Sequence, residues 1–516
     1  MTKYVLQSIA KKINPTGYKS WILKTGDYIP LSVLERGEND ISKYITTQLI
    51  NELIFCNNTW FLHDKKTMLW RIVKNPSERI ISHVQNKIDE SREIFLHLKQ
   101  KTEDKEEKIK YEQIDAQYLR YHQQVSKGSF CNQMIKVLES YLFVNKFNEL
   151  LDTNPYEVAY EDGILDLKTG TFRKGLLSSD YLTKTIPYPY KKSTKTERDW
   201  VREQLKKICN YNEEHLEFYL SILGYSMTGD STTHQKFWSL RGQKACNGKS
   251  IIFESLMKII PNYINKMENN FFETTYGTRH KEIAGWRGFR IGWLNEMSSK
   301  KQDETVIKEM ADGTGIKNKV MYGTTELVSI TFKYFIISNN TLNIKADNGI
   351  KRRLEILQLD SEFKTDIEEE DFENKIFKQD NKFGEKLETT YKYALMDLIY
   401  EYSKKHFEDG NKIKPYPSDW KTETESVCAD NNKFESFFND NFEIDAEGEV
   451  CKQEVEDILT RFKYKKMETQ DLKDELKRMK VPFDYKSQLK KLGKRGFWTG
   501  FKVLVEPSVP LVVVEV

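Results

Sequence analysis

The densest chemistry lies in HQKFWSLRGQKACNGKSIIFESLMKII, residues 234–260. A short apolar run, Phe237 to Leu240, enters a glycine-containing loop ending Gly248-Lys249-Ser250. An amphipathic helix with Ile251, Ile252, Phe253, Leu256 and Ile260 leaves it. That order is what a phosphate loop requires: bare backbone N–H groups at a helix N-terminus wrap β- and γ-phosphates, Lys249 adds positive charge, and Ser250 holds Mg²⁺. The expected ligands are ATP and Mg²⁺, with Gly242, Asn247, Gly248, Lys249 and Ser250 binding the nucleotide. Five residues, QKACN, lie between Gly242 and Gly248 where four are usual. The loop either bulges by one residue or takes its first glycine elsewhere.

Residues downstream narrow the class. In GFRIGWLNEMSS a second apolar strand, Ile291 to Leu294, ends in Asn295-Glu296. A carboxylate at a strand tip beside a phosphate loop can polarise an attacking water and support the metal, so Glu296 is the expected catalytic, water-activating carboxylate and a second metal contact beside Ser250. Asn295 stands where an aspartate often sits, which removes one carboxylate from Mg²⁺. A third strand, Phe332 to Ile337 in ITFKYFIISNN, is capped by Ser338, Asn339 and Asn340. The Asn339 amide is suited to sensing the γ-phosphate, although asparagines also serve as turn residues at strand ends. Arg352 and Arg353 precede a further apolar strand in NGIKRRLEILQLD. A guanidinium there is suited to reach a neighbouring subunit's γ-phosphate as an arginine finger. Between the second and third strands, DGTGIKNKVMYGTTELVSITF alternates like a hairpin, with Lys317 and Lys319 near its tip and Tyr322 beyond them; lysines in a turn are ordinarily just solvated, but in a ring ATPase this segment would face the channel, where cations track DNA phosphates without reading sequence.

These residues need a large scaffold, and 516 residues suggest roughly three domains. Hydrophobic residues at 38% build real cores, and 81 basic against 78 acidic side chains exclude a generally basic coat. No stretch approaches a membrane span and the N-terminus lacks a secretory signal, so a soluble intracellular protein with no membrane partner is expected. Six scattered cysteines without a CxxC pair suggest reduced, buried thiols. The expected divisions are an α+β region at 1–130, a collar domain at 131–205, an ATPase core at 206–360, an acidic connector with a helical lid at 361–430, and a C-terminal domain at 431–516. In the first, Lys99 to Gln124 reads as one long charged helix; in the second, EDGILDLKTGTF reads as a hairpin turning at Lys168-Thr169-Gly170. Amphipathic helices fill Thr196 to Thr228. Asp360 to Glu373 carries eight acids against Lys364 alone. The C-terminal region reads as three helices and a basic hairpin turning at Gly493-Lys494-Arg495-Gly496, a winged-helix pattern in which Lys494 and Arg495 would contact DNA. Its alternative is a scaffold for partner proteins.

The order GKS, strand-Asn-Glu, IKEMADGTGIKNKVMYG, strand-Ser-Asn-Asn and GIKRRLEI resembles the superfamily III helicases of the poxvirus and large DNA virus, phage and plasmid primase-helicase type. The resemblance runs from about Leu150 to Asp360, since NPYEVAYEDGILDLKTGTF and DYLTKTIPYPY are similar to the domain preceding the ATPase in that family. It implies an α/β fold with an AAA+-like P-loop ATPase core, assembled as a homo-hexamer on single-stranded and forked DNA and moving 3′ to 5′. Lys249 and Ser250 would bind phosphate and Mg²⁺, Glu296 would activate water, Asn339 would sense the γ-phosphate, and Arg353 or Arg352 would act in trans. A primase or polymerase is a further implied partner. The setting would be replication of a virus or mobile element, in a host cytoplasm or nucleus or in a bacterial cytoplasm. Many relatives carry an N-terminal primase, but the first 130 residues lack a pair of strand-borne aspartates with a following histidine. Asp64 reads as a turn residue, so the chain is a helicase only or a piece of a longer one. The competing class is a DNA-binding replication or assembly scaffold whose ATPase switches oligomeric state. A kinase or GTPase is disfavoured, because the nearest approach to a guanine motif is Asn265-Lys266-Met267-Glu268.

Overall fold

The computed structural model describes residues 29–242, 247–273, 279–297, 302–319, 325–328, 330–339, 342, 344, 346–430, 433–461, 469–479, 481–491 and 494–504. Near the N-terminus, helices α1 (Leu31–Glu35) and α2 (Glu38–Leu49) precede an antiparallel sheet of β1 (Leu53–Cys56), β2 (Thr59–Asp64) and β3 (Leu69–Val73). Asp64 ends β2 by accepting the Lys66 and Thr67 N–H groups, at 2.8 and 3.5 Å, which is a turn role. Helices α3 (Ser77–Lys101), α4 (Lys105–Val125) and α5 (Gly128–Tyr141) complete a core that includes Ile41, Trp70, Ile88, Met134 and Phe147.

The single charged helix expected over Lys99 to Gln124 is a helical hairpin instead. Asp104 interrupts it: the carboxylate accepts the Glu106 and Glu107 N–H groups, so a new helix starts with its first donors satisfied. The two arms then lie together, joined by Arg92–Asp115 at 2.8 Å and Lys99–Glu112 at 2.6 Å.

A second antiparallel sheet comprises β4 (Glu157–Tyr160), β5 (Gly163–Asp166) and β6 (Phe172–Lys174), with Leu165 opposite Phe172. Asp166 forms the turn by accepting the Lys168 and Thr169 N–H groups. Helix α6 (Lys195–Ile208) begins at a capping box in which Thr194 and Glu197 bond each other's backbone. Helix α7 (Glu213–Met227) is buried nearly all round rather than amphipathic.

The central sheet is parallel and five-stranded: β7 (Phe237–Arg241), β8 (Ile264–Lys266), β9 (Ile291–Asn295), β12 (Lys333–Ser338) and β13 (Leu354–Gln358), in the order β13-β7-β12-β9-β8. Apart from the edge strand β8, its strands are mostly buried along their length because both faces are covered. Helix α8 (Lys249–Ile259) follows β7. Helices α9 (Arg279–Ala284) and α10 (Glu304–Asp312) flank β9, and α11 (Asn348–Arg353) leads directly into β13. Between α10 and β12, β10 (Ile316–Lys319) and β11 (Thr325–Val328) form an antiparallel hairpin pairing Lys317 with Leu327 and Lys319 with Thr325. Tyr322 lies outside the described residues.

The acidic connector is folded. Its strands β14 (Glu362–Lys364) and β15 (Ile376–Lys378) pair in parallel, and the lid helix is two helices, α12 (Phe383–Glu388) and α13 (Lys392–Glu408). Helix α13 is a core element packed along α7. A Cβ on Gly224 would stand 2.6 Å from the Ser403 nitrogen, so this glycine permits the approach, and Ser403 Oγ donates to the Gly224 carbonyl at 2.7 Å. The buried Asp397 accepts from Ser193 N and Oγ at 2.6 and 2.7 Å. Helix α14 (Ser418–Asp430) and Tyr416 just before it cover β13, where Tyr416 Oη and Thr424 Oγ1 accept the Ile356 N–H.

The C-terminal unit runs α15 (Lys433–Asn441), β16 (Phe442–Cys451), α16 (Lys452–Arg461), α17 (Thr469–Arg478), β17 (Asp484–Lys491) and β18 (Lys494–Val503), with strand order β16-β18-β17. Strand β16 departs from the expected pattern because its alternation breaks where the register shifts between Ile444 and Glu449. The expected four-residue turn is also corrected. Lys491 pairs with Lys494 and Lys490 with Arg495, so Lys494 and Arg495 are exposed strand residues. Gly493 lies outside the described residues. Trp498 is 1% exposed, packed against Tyr485 and Phe501. Five described cysteines, Cys56, Cys131, Cys209, Cys428 and Cys451, are buried and free. No described helix is long and apolar enough to cross a membrane.

Candidate nucleotide site

Parallel strands place their carboxyl ends on one edge, and the register sets which residues meet there. Ser338 is level with Arg241 across β12 and β7, and Ile337 is level with Asn295 across β12 and β9. One residue beyond those rungs come Gly242, Asn339 and Glu296. Three sequence segments some forty to fifty-five residues apart therefore converge by strand pairing alone.

Their side chains interlock. Lys249 Nζ donates to Asn339 Oδ1 at 2.8 Å. Glu296 Oε1 accepts the Asn339 N–H at 2.9 Å, and Oε2 accepts from Ser338 Oγ at 3.0 Å. Glu296 itself has φ of 57°, the left-handed region that non-glycine residues seldom adopt, while its N–H donates to the Ile337 carbonyl at 2.7 Å. Such backbone is held only where surrounding bonds over-determine it, and here both the main chain and the carboxylate are tied to the end of β12. Burial pushes the Lys249 ammonium down to about 8, against the pull of Glu296 and Asp360. A buried cation with so little compensating charge favours an anionic ligand.

The loop glycines serve different needs. Gly248 is the N-cap of α8 with φ of 76°, and a Cβ there would meet Ile208 Cγ1 at 2.9 Å. Gly242 carries no positive φ, yet a Cβ would lie 2.5 Å from the Leu359 carbonyl oxygen and 2.9 Å from Lys249 Nζ. Only glycine fits that crossing. Asn247 Nδ2 donates to the same Leu359 carbonyl at 3.3 Å, pinning the far end of the loop to the end of β13. Residues 243–246 lie outside the described set.

Ser250 is in the first turn of α8, half-buried. Among the described residues no group of three or more His, Cys, Asp or Glu side chains converges on a metal position. A hydroxyl and a carboxylate are nevertheless hard oxygen donors of the kind Mg²⁺ takes when phosphate and water supply the remaining ligands, so Ser250 and Glu296 fit that ion.

Arg352 and Arg353 sit at the opposite edge. They end α11, at the amino end of β13, and a five-residue strand separates that edge from the carboxyl ends by roughly 16 Å. Neither serves the site of its own chain by proximity. Their environments differ. Arg353 is 11% exposed and clamped by Asp312, with Nε–Oδ1 of 2.8 Å and Nη2–Oδ2 of 2.7 Å, and it also donates to the Gly349 carbonyl. Arg352 is 58% exposed, bonded to Gln235 at 3.0 Å and 3.7 Å from Asp312. Sequence reasoning did not identify Asp312 as the clamp or Ser338 as a holder of Glu296. Both are common polar residues at element ends, and only the fold supplies their partners.

Residues 43–208 match the family described as D5 N terminal like. A protein of Invertebrate iridescent virus 6 carrying the name "Putative helicase 184R" is 27% identical over 344 residues, 60% of this chain and 34% of that protein. Another so named, L207/L206 of Acanthamoeba polyphaga mimivirus, is 25% identical over 371 residues, 69% of this chain and 37% of its own length. The chain thus spans about a third of these relatives. Among solved structures, the A-form apo C-terminal region of NrS-1 aligns with 89% of this chain and 98% of its own at a TM-score of 0.43 and 8% identity, a distant likeness.

Proposed function

We propose that the chain is an ATP hydrolase that moves along DNA, a superfamily III helicase with an AAA+-like core; the match of residues 43–208 to the D5 N terminal like family and the likeness to viral proteins carrying helicase names support this reading. The observation that carries this reading is the convergence of Lys249, Glu296 and Asn339 on the carboxyl edge of three adjacent parallel strands. In it, the first-turn N–H groups of α8 and Lys249 bind the β- and γ-phosphates. The bonds from Ser338 and Asn339 fix the orientation of Glu296, which takes a proton from the attacking water. Asn339 bonds Lys249 and Glu296 at once, so its side chain is placed to register the γ-phosphate when Lys249 turns to it. Mg²⁺ would supply charge neutralisation between phosphates when bound, and Ser250 and Glu296 are the residues that would hold it.

The remote arginines support a ring. At the far edge of the sheet they suit the phosphate site of a neighbouring subunit, and a homo-hexamer on single-stranded or forked DNA is the assembly we propose. Exposure favours Arg352 as the finger and gives Arg353 the task of fixing α11 against α10. The C-terminal unit, three helices with a three-stranded sheet, is proposed as a winged-helix module on DNA. The test is unwinding of a forked duplex with ATP. Glu296→Gln should bind ATP and DNA yet neither hydrolyse nor unwind. Hydrolysis at the wild-type rate in that variant would refute the assignment, and hydrolysis by the wild type without strand separation would leave the scaffold reading.

A further inference from the structure

Two exposed surfaces of this chain are complementary to each other. The first lies on the N-terminal sheet, where the order β1-β2-β3 makes β3 an edge strand. Arg71, Ile72 and Lys74 stand exposed along it, and Lys66 is exposed in the turn before it. Ile72 is 68% exposed. It shares a face of β3 with Trp70, whose Nε1 donates to the Ser178 carbonyl at 3.3 Å. Leu177, the residue before that contact, is 53% exposed. Five basic and two acidic side chains lie between Asp64 and Arg79. Asp64 is occupied by its own turn, and Lys65 and Arg79 are ion-paired to the buried Glu52. Lys66, Arg71 and Lys74 are left without an ion-pair partner among the described residues, around an apolar side chain.

The second surface is the loop between β14 and β15. Lys207 Nζ holds Glu370 at 2.6 Å, and Asp371 accepts the Asn374 N–H at 3.0 Å, so the loop has a fixed shape. Asp366, Glu368, Glu369 and Glu373 are exposed on it, with no ion-pair partner among the described residues. Phe372, set among these acids, is 46% exposed, and its ring is held 4.7 Å from that of Tyr211 and 5.6 Å from that of Phe377, centroid to centroid. An apolar side chain fixed among like charges is costly in water twice over, through exposed apolar area and through repulsion. A contact with an apolar residue ringed by the opposite charge relieves both. Within one chain the two surfaces belong to different cores, and among the described residues no hydrogen bond or ion pair joins residues 65–74 to residues 366–373.

We propose that the acidic loop of one copy docks on the β3 edge of the next copy, with Phe372 against Ile72 and Leu177, and with Glu368, Glu369 and Glu373 facing Lys66, Arg71 and Lys74. Two different patches are used, so the contact is heterologous and passes from copy to copy, closing a ring when the rotation permits. The inference rests on the homo-oligomer reading and adds to it a contact away from the arginine edge, one that ties the N-terminal domain of each subunit to the ATPase core of its neighbour. DNA phosphates would also suit three free cations, but they leave the matching acidic loop without a role.

Charge reversal read by analytical ultracentrifugation in low salt tests the contact. Arg71→Glu with Lys74→Glu makes both surfaces acidic, and Glu368→Lys with Glu369→Lys makes both basic. All four positions are exposed, so each variant should melt with the wild type, which reports that it is folded. Either reversed chain alone should assemble more weakly than wild type, on the order of ten-fold or more, because like charges now face each other. An equimolar mixture of the two should assemble, since each patch then finds its opposite on the other chain, and a chain with all four changes should assemble by itself. Wild-type assembly by either reversed chain overturns the proposal, and so does a loss that neither the mixture nor the fourfold variant recovers. If the basic-side reversal lowers affinity for forked DNA and leaves assembly unchanged, the patch is a DNA contact and the proposal falls. Failure of the swap while the wild type assembles leaves the ring reading standing, whereas a wild-type chain that stays monomeric with ATP and DNA present removes both.

Discussion

Gly242→Ala tests the loop at the point where its spacing is unusual. The added methyl would run into Asn247 Nδ2 and stand 2.5 Å from the Leu359 carbonyl oxygen. Asn247 can swing aside at the loss of its own 3.3 Å bond to that carbonyl. Leu359 cannot, because its N–H is the rung to the Arg241 carbonyl at 2.7 Å, directly beside the substituted residue. The backbone of β7 and β13 must therefore part at its carboxyl end. Overpacking of this kind costs about 1–3 kcal/mol, and each kcal/mol lowers Tm by roughly 2–4 °C in a unit of 150–250 residues. Function should suffer more than stability. Lys249 Nζ lies 2.9 Å from the new methyl, and a charged hydrogen bond is worth about 1.5–3 kcal/mol, or roughly ten- to hundred-fold in affinity. Titration calorimetry with ATP, together with thermal melting, reads both effects. A variant that melts within a degree of wild type and binds ATP equally well would refute the placement of Gly242 as the loop's first glycine.

The two arginines should separate cleanly. Arg353→Ala should lower Tm by several degrees, since it strands Asp312, whereas Arg352→Ala should melt normally but turn over ATP on the order of 10³-fold more slowly; activity recovered by mixing Arg352→Ala with Lys249→Ala protein would place the finger in trans, and inert mixed rings would remove Arg352 from that role. Replacing Lys317 and Lys319 by alanine should keep DNA-independent ATPase and abolish unwinding; wild-type unwinding would move the DNA grip away from the β10–β11 hairpin. Changing Lys490, Lys491, Lys494 and Arg495 together to glutamine should flatten the salt dependence of fork binding, by about 0.9 in log–log slope for each DNA phosphate that is no longer neutralised. An unaltered slope in a folded variant would favour partner docking by this unit.

What local chemistry decides was legible in the chain. The apolar runs of β7, β9 and β12, the Gly248-Lys249-Ser250 start of α8 and the polar strand tips at Glu296 and Asn339 are properties of short segments, and periodicity and residue type report them. The hairpin at Asp166 was legible too, because a turn acid bonds its own next residues. What tertiary structure alone decided depends on partners distant in sequence. Arg352 and Arg353 are adjacent and alike, and Asp312, some forty residues earlier, makes one a clamp and leaves the other exposed. Gly242 has an ordinary backbone conformation, and its necessity comes from the Leu359 carbonyl just past β13. The acids of residues 360–373 read as an acidic connector because charge density is a local property. Their ion pair to Lys207 and the burial of Phe377 fold the segment against the ATPase core. Pattern shows which residues are suited to a role, but distances across the fold decide which of them hold it, because electrostatic and steric energies depend on neighbours in space and not on order along the chain.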